Sequence, residues 1–373
     1  MKKLLVIILL FLLPFTTGCW DKVEIEQRVF VTEIGIDKNG KEEGINKMTV
    51  TYQYPNINNI GKDSGGGSSN FLITTESSSV FQAGRQFMTK VPFPFYYKHL
   101  KVVILGNEFL KEENLIRVVL DELNRDTKIN KRVRILAADT TAKEIMEASF
   151  NKEQRTEGTI YATVRDNRNT SSYTTKSLAD IVTDFDIAGV TLIPRISLDE
   201  KGSFVVSGGC ILKNYHFLDW IDPVENKVVN LINGDMVIET IDVIYEQNLI
   251  SYAISETETR RDIKVDDKIT ADINVQVEGY LQGYTLSDKS SIENDEIIMN
   301  MEKAIESEMM KAARRTISHM KEVKADLIGI GEHISKYHPK EWDKIENDWD
   351  DIFSEVEINL NIDVKIRRIG LTR

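Results

Sequence analysis

Apolar and polar positions alternate most strictly near the end of the chain. Val356, Ile358, Leu360, Ile362, Val364 and Ile366 are separated by polar residues. This period of two predicts a strand with one buried and one wet face, as in antiparallel sheets. Ile269, Ala271, Ile273, Val275 and Val277 repeat the pattern, and Ile250, Tyr252 and Ile254 begin another such strand. Between them the period changes to that of a helix, over about residues 291–328. Its apolar stripe runs Ile298, Met301, Ile305, Met309, Ala312, Met320, Val323, Leu327, with Thr316 as the polar member. The steps average about 3.6 residues, whereas a left-handed coiled coil requires about 3.5, so the helix is expected to lie on its own sheet. Ser290 with Glu293 forms a capping-box pair, and Asp295 and Glu296 suit the positive helix end. Gly329 and Gly331 are expected to end this helix and turn the chain. Pro339 then fits a first helical turn, and Trp342, Ile345, Trp349, Ile352 and Phe353 share one face beyond it.

The first half reads as alternating strands and helices. Val29–Ile36 predicts a strand, Asp37–Gly40 a turn, and Met48, Val50, Tyr52 and Tyr54 a second strand. Asp63–Asn70 is a polar loop rich in glycine and serine. No Gly-Lys-Ser/Thr follows it, so it is not read as a phosphate cradle. Strands are expected at Phe71–Thr75, Lys98–Leu105, Val133–Ala138 and Val190–Ser197. Helices are expected after the Ser77–Ser79 caps, over Asn107–Leu123, over Thr141–Ala148 and over Ser177–Phe185. Residues 150–175 read as a polar excursion. Such alternation implies helices layered on a sheet. The turn-prone Asp199–Ser203 marks the expected boundary. Beyond it come short strands at Phe204–Leu212 and Tyr215–Trp220, a turn at Asp222-Pro223, and a stretch near 227–240 that is helix or loop. The expected fold class is therefore α+β, or mixed α/β. It has a layered α/β region over residues 19–198, as one unit or two subdomains. An antiparallel sheet packed on a long helix follows over residues 203–373.

The first twenty residues, MKKLLVIILLFLLPFTTGCW, are of another kind. Lys2 and Lys3 precede an apolar run from Leu4 to Leu13, and Thr16-Thr17-Gly18 lead into Cys19. A charged start, a short apolar core and small residues make a secretory signal. At ~1.5 Å per residue the run reaches about 15–18 Å as a helix, too short for a ~30 Å hydrocarbon core. A cysteine directly after the small residues is the pattern of a bacterial lipobox, with Thr16 where leucine is usual. Residues 1–18 are accordingly read as a lipoprotein signal peptide. Cys19 is read as the lipid attachment site, holding the body to the membrane through its N-terminal lipid.

Composition and charge narrow the function. Loss of Lys2 and Lys3 takes the net charge from −12 to −14, which argues against nucleic acid and against wide adhesion to anionic lipid. Cys19 and Cys210 are the two cysteines; Cys210, in VVSGGCIL, reads as a small buried strand residue. The five histidines (His99, His216, His319, His333, His338) are scattered, and His333 and His338 are five apart rather than the four that share a helix face around zinc. No His-Glu-x-x-His or Gly-x-Ser-x-Gly occurs, and Asp348, Asp350 and Asp351 lack the remaining ligands of a calcium loop. No catalytic residue, metal ligand or cofactor is assigned, and no ligand-binding residue is identified.

Two separated stretches resemble one family, the Ger(x)C spore germination lipoproteins, which are C subunits of nutrient germinant receptors. In GCWDKVEIEQRVFVTEIGID the matching positions are Gly18, Cys19, Trp20, Asp21, Glu24, Ile25, Arg28, Gly35 and Asp37. Near the other end they are Asp326-Leu327-Ile328-Gly329, Gly331, Tyr337-His338-Pro339-Lys340, Trp342, Trp349, Phe353 and Gly370. Lys101–Gly106 and Asn124-Arg125-Asp126 match a strand and a helix end of the family. The resemblance implies a non-catalytic subunit with integral-membrane A and B subunits as partners. It also implies the inner spore membrane as its location, with the body on the outer face, and small nutrients as stimuli. The motif residues themselves read as core and corner positions rather than as a binding site. An extracytoplasmic solute-binding lipoprotein of a transporter is the alternative, and predicts two similar α/β lobes around a cleft. A cell-wall hydrolase would need a catalytic cluster that the sequence does not display.

Overall fold

Strand pairing divides the computed structural model into an eight-stranded sheet, a four-stranded sheet and a short two-stranded ribbon. It describes residues 27–369 apart from 43–44, 57–69, 92, 151–158, 166–169, 237–238 and 285–294; Cys19, the loop Asp63–Ser69 and the Ser290–Glu293 pair lie outside the described residues.

The large sheet has four parallel strands at its centre: β2 (Glu33–Glu42), β6 (Val102–Leu105), β7 (Arg134–Ala138) and β8 (Val190–Leu198). On one side β3 (Ile45–Pro55) and β4 (Asn70–Ser77) add antiparallel, and on the other β9 (Phe204–Lys213) and β10 (His216–Ile221) do the same. The parallel strands are covered on both faces, which is why all four residues of β6 are buried. One face packs Ile34, Ile36, Val103, Leu105 and Ile135 beneath helices α1 (Val80–Phe87), α3 (Glu113–Arg125) and α6 (Leu178–Ile187). The other packs Val102, Ile104, Leu136 and Ile196 beneath α4 (Ala142–Phe150) and α5 (Thr159–Val164). A short α2 (Asn107–Leu110) follows β6. The ribbon pairs β1 (Val29–Phe30) with β5 (Phe95–Tyr96) in parallel.

The layered α/β reading of this half holds, with local differences. β2 continues through Asp37–Gly40, where a turn is expected, and absorbs Asn39-Gly40 as a register irregularity between Lys38 and Lys41. The polar stretch 150–175 contains α5, whose Ile160 and Val164 are buried along with Tyr173. The turn at Asp199–Ser203 joins β8 to β9, neighbours in one sheet, so strand pairing runs across the position where a boundary is expected. The stretch near 227–240 resolves into α7 (Pro223–Asn233) followed by β11 (Glu239–Tyr245). α7 opens with a capping box of Asp222 and Glu225 and Pro223 in its first turn.

The second sheet runs β11, β12 (Asn248–Val265), β13 (Ile269–Tyr284), β14 (Glu357–Ile369). The first three strands are antiparallel, as their alternation predicts. β14 corrects the expectation of a wholly antiparallel sheet: it pairs parallel to β13. Alternation reports which face is buried and is blind to direction. A parallel neighbour needs a long crossover, and four helices supply it: α8 (Asp295–Glu322), α9 (Ile330–Tyr337), α10 (Pro339–Ile345) and α11 (Trp349–Glu355).

α8 lies on the sheet as its period predicts, burying Met301, Ile305, Met309, Ala313, Thr316 and Met320. Ala313 takes the place in the stripe expected of Ala312. The Thr316 hydroxyl donates to the Ala312 carbonyl at 3.0 Å, so this polar member costs no unpaired group. The helix stops at Glu322 rather than near Ile328. Lys324 turns left-handed (φ 53°) and the Ala325 amide reaches back to the Met320 carbonyl at 2.9 Å. The helix α7 joins the two sheets, since Val228, Val229, Leu231 and Ile232 share a core with Val190, Leu192 and Ile211 on one side and Tyr252, Ile254 and Ile273 on the other. The two halves are therefore unlike, in contrast to the paired lobes that a solute-binding protein would present.

Candidate functional site

One aspartate from each terminal signature ends up at a helix start. In the first half, the Asp37 carboxylate of β2 accepts hydrogen bonds from the Ala142 amide at 2.7 Å and the Lys143 amide at 3.0 Å. The next amide, that of Glu144, donates to the Thr141 hydroxyl at 3.1 Å. The first three donors of α4 are thus satisfied, two of them from a distant strand. Burial raises the pKa of Asp37, and the two amides pull it back down. Gly35 lies against α4, where a Cβ would fall 2.6 Å from the Met146 sulfur.

At the other end, the Asp326 carboxylate accepts from the Ile330 amide at 3.1 Å and the Gly331 amide at 2.7 Å, the start of α9. Gly329 precedes this helix at φ 69° and so belongs to its beginning, not to the end of α8. Gly331 faces two indoles: an added Cβ would sit 2.7 Å from Trp349 Nε1 and 3.0 Å from Trp342. The two rings meet edge to face at 5.3 Å. Asp326 is buried, which raises its pKa against the pull of the amides. Beside it, the Arg261 guanidinium donates to the Ile232 carbonyl at 2.6 and 3.0 Å, to the Ile328 carbonyl at 2.8 Å and to Asn233 Oδ1 at 2.9 Å. Its charge ties α7, β12 and the Asp326 turn together.

A cavity of about 360 Å³ opens next to this turn, between the two sheets, lined by Lys176, Asp184, Asn230, Arg261, Asp326 and Glu332 among others. Its polar walls are engaged with one another. Lys176 pairs with Asp184 at 2.8 Å, Thr191 donates to the same carboxylate at 2.5 Å, and Thr174 donates to Asn230 at 2.7 Å. A small-molecule site presents a few convergent polar groups that remain free to turn to a ligand; here Lys176, Asp184, Asn230, Arg261 and Asp326 are spent on the fold.

The histidines are as dispersed in space as in sequence. His216 meets Glu113 at 2.8 Å, and His333 packs on Tyr337 at 4.6 Å. Among the described residues no group of three or more histidine, cysteine, aspartate or glutamate side chains could hold a metal ion. Cys210 is buried on β9, and burial pushes its thiol pKa well up. One polar arrangement has no counterpart in the sequence reading. His319 of α8 points Nδ1 at Glu225 (2.9 Å) and Nε2 at Asp219 (3.3 Å), while Arg315 one turn earlier holds Asp222 at 2.8 Å. The long helix thereby grips the capping box of α7. Burial opposes protonation, but the two carboxylates hold the His319 pKa above its ordinary value. The helix start that it grips is visible in Asp222-Pro223-Val224-Glu225, which reads equally as a turn and as a capped helix start; its pairing with His319 is not.

No helix of the described residues is long and apolar enough to cross a membrane. Comparison with known proteins gives a consistent answer. A family model described as the spore germination protein N-terminal domain matches residues 21–198. A second, described as spore germination B3/GerAC like, C-terminal, matches residues 207–370. The chain is 25% identical over 406 residues to spore germination protein KC of Bacillus subtilis (strain 168), covering 99% of this chain and 96% of that protein. It is 23% identical to spore germination protein B3 of the same organism, covering 97% of each, and 24% identical to its spore germination protein A3, covering 95% and 94%. The crystal structure of the GerBC protein superposes with a TM-score of 0.58 at 19% identity, over 90% of this chain and 97% of that one, a likeness of fold.

Proposed function

The chain belongs to the GerAC-like family of spore germination proteins, whose N- and C-terminal models together span most of it, and on that premise we propose that it is the lipid-anchored, non-catalytic subunit of a nutrient germinant receptor. In this reading Cys19 carries the lipid, and the body stands on the outer face of the inner spore membrane. The integral-membrane A and B subunits of the receptor are its partners, and its role is to support the triggering of germination. The matches run over both ends of the chain and name germination proteins throughout. One aspartate of each terminal signature, Asp37 and Asp326, is occupied in capping a helix, which suits a subunit that works by assembly rather than by chemistry. The leader ending at Gly18-Cys19 supports the anchor.

Purification of the tagged protein from detergent-solubilised spore membranes tests the assignment. The expected result is recovery of two integral-membrane proteins with it, and loss of the nutrient response in spores carrying Cys19→Ala. Recovery of a transporter instead, or a mature N-terminus other than an acylated Cys19, overturns it.

A further inference from the structure

One stretch of the chain runs against the charge of the rest. Aspartate and glutamate occur about once in six residues overall, yet none occurs from Ser77 to Asn107, where Arg85, Lys90, Lys98 and Lys101 stand. The same stretch holds Phe81, Phe87, Phe93, Phe95, Tyr96 and Tyr97.

The fold places much of this stretch where the chain enters the body. The ribbon pairs Val29 with Phe95 and Phe30 with Tyr96. The Arg28 guanidinium lies 5.0 Å from the centre of the Tyr96 ring and the Lys98 ammonium 5.9 Å from it. Phe30 stands edge-on to Tyr96 at 5.6 Å and to His99 at 5.1 Å. Further along, Phe95 stacks on Phe87 at 5.8 Å, with the Lys90 ammonium 5.8 Å from the Phe87 ring. Arg85, Met88, Lys90 and Lys98 are exposed. Among the described residues none of Arg28, Arg85, Lys90 and Lys98 forms an ion pair with a carboxylate. Glu122 of α3 instead takes the amide of Val80, at the start of α1, at 3.3 Å.

We propose that this surface is where the body rests on the membrane. Arg28, Arg85, Lys90 and Lys98 would meet anionic lipid headgroups, while Tyr96 and Met88 enter the interfacial layer. The inference rests on reading Cys19 as the lipid anchor. Eight Cα-to-Cα steps lead from Cys19 to Gln27, a reach of at most about 28 Å, so lipid and patch can engage one bilayer together. Amphipathic rings beside cations are the composition of a membrane-water interface. Lysine and arginine near an anionic leaflet each add to the attraction, within a Debye length. The linker carries Asp21, Glu24 and Glu26 against Lys22, a smaller charge than that of the four cations of the patch. A mature chain of net −14, the −12 of the whole sequence less Lys2 and Lys3, would otherwise be held off such a surface, so the patch fixes orientation.

The test uses the mature acylated protein in vesicles of phosphatidylcholine with or without phosphatidylglycerol. A spin label is placed at Thr89→Cys, inside the patch, or at Lys311→Cys on α8. The buried Cys210 leaves the introduced thiol as the reactive one. The label at 89 is expected to enter the lipid interface when phosphatidylglycerol is present and to leave it in the Lys90→Glu, Lys98→Glu variant. The label at 311 should stay in water throughout, which also reports that the variant is folded. If the label at 89 is as wet as that at 311 on anionic vesicles, the proposal is overturned and a protein partner becomes the occupant of the patch. A high-salt wash separates this from the anchor. Protein that stays bound with a wet label at 89 keeps the anchor and loses the patch. Protein that washes off after its label had entered the interface at low salt keeps the patch and loses the anchor.

Discussion

The Asp37 carboxylate accepts the Ala142 amide at 2.7 Å across 105 residues of chain, binding a central strand to the start of the helix that covers it. Because Lys143 donates to the same carboxylate, Asp37→Ala strands two helix-start donors. A buried donor left unpaired costs about 1–3 kcal/mol. Urea unfolding should show a loss of that order for Asp37→Ala. Gly106→Ala should also destabilise, since its Cβ would fall 2.0 Å from Asp37 Oδ1. If both variants unfold at the wild-type midpoint, the carboxylate is not holding α4.

The core of the second half rests on the face of α8 that carries Ile305, which is fully buried, whereas Lys303 is exposed. Ile305→Asp places an unpaired charge in that core, with an expected penalty of about 3–5 kcal/mol. Lys303→Gln should stay within about 0.5 kcal/mol of wild type. Thermal unfolding by circular dichroism distinguishes them. Equal melting points would mean that the stripe is free, leaving it open to a partner.

How much of this was legible follows from what each pattern measures. The 3.6 period of α8 and the period of two in β12, β13 and β14 report burial on one face, and the structure buries those faces. Direction and partner are not in the pattern: β14 is parallel to β13 because of the crossover between them. The same limit applies to the short strands expected at Phe204–Leu212 and Tyr215–Trp220, whose sheet is chosen by the pairing of β9 with β8 and of β10 with β9. The end of α8 was misplaced because the left-handed residue is Lys324, a lysine at φ 53°, while Gly329 serves the next helix. At the polar sites, Asp37 and Asp326 could be named from the family resemblance, and their reading as corner residues fits the amides they take. The grip of His319 on Asp219 and Glu225 spans about a hundred residues, a juxtaposition that no local spacing encodes.

β14 is an edge strand, and edges with free amides invite pairing with other chains. Here α8 covers the edge. Glu306 takes the Val364 amide at 3.1 Å and Glu302 takes the Ile366 amide at 2.9 Å. The double variant Glu302→Ala, Glu306→Ala is expected to lose about 1–3 kcal/mol and to associate at concentrations where the parent is dispersed. Light scattering beside chemical unfolding would read both effects. A variant that is weaker but equally dispersed would show that the two carboxylates stabilise the strand without guarding it.

The contact of α8 with α7 should depend on pH through His319. Its imidazole faces Glu225 of α7 and Asp219 of β10, and Arg315 of its own helix is engaged with Asp222. Burial alone would lower its pKa, but the two carboxylates raise it above the ordinary value. A group whose folded pKa is raised contributes stability that is complete below its unfolded pKa, about 6.5 for histidine, and that fades as pH rises through the folded value. Wild type should therefore exceed His319→Gln by about 1–2 kcal/mol near pH 6, the value for a hydrogen bond to a charged group reduced by the solvent that screens half-exposed Asp219. The gap should close as the medium becomes alkaline. Glu225→Gln should flatten the same profile from the other side of the contact, and it distinguishes a charge link from packing. If the gap between wild type and His319→Gln is constant across this range, the histidine acts by shape alone.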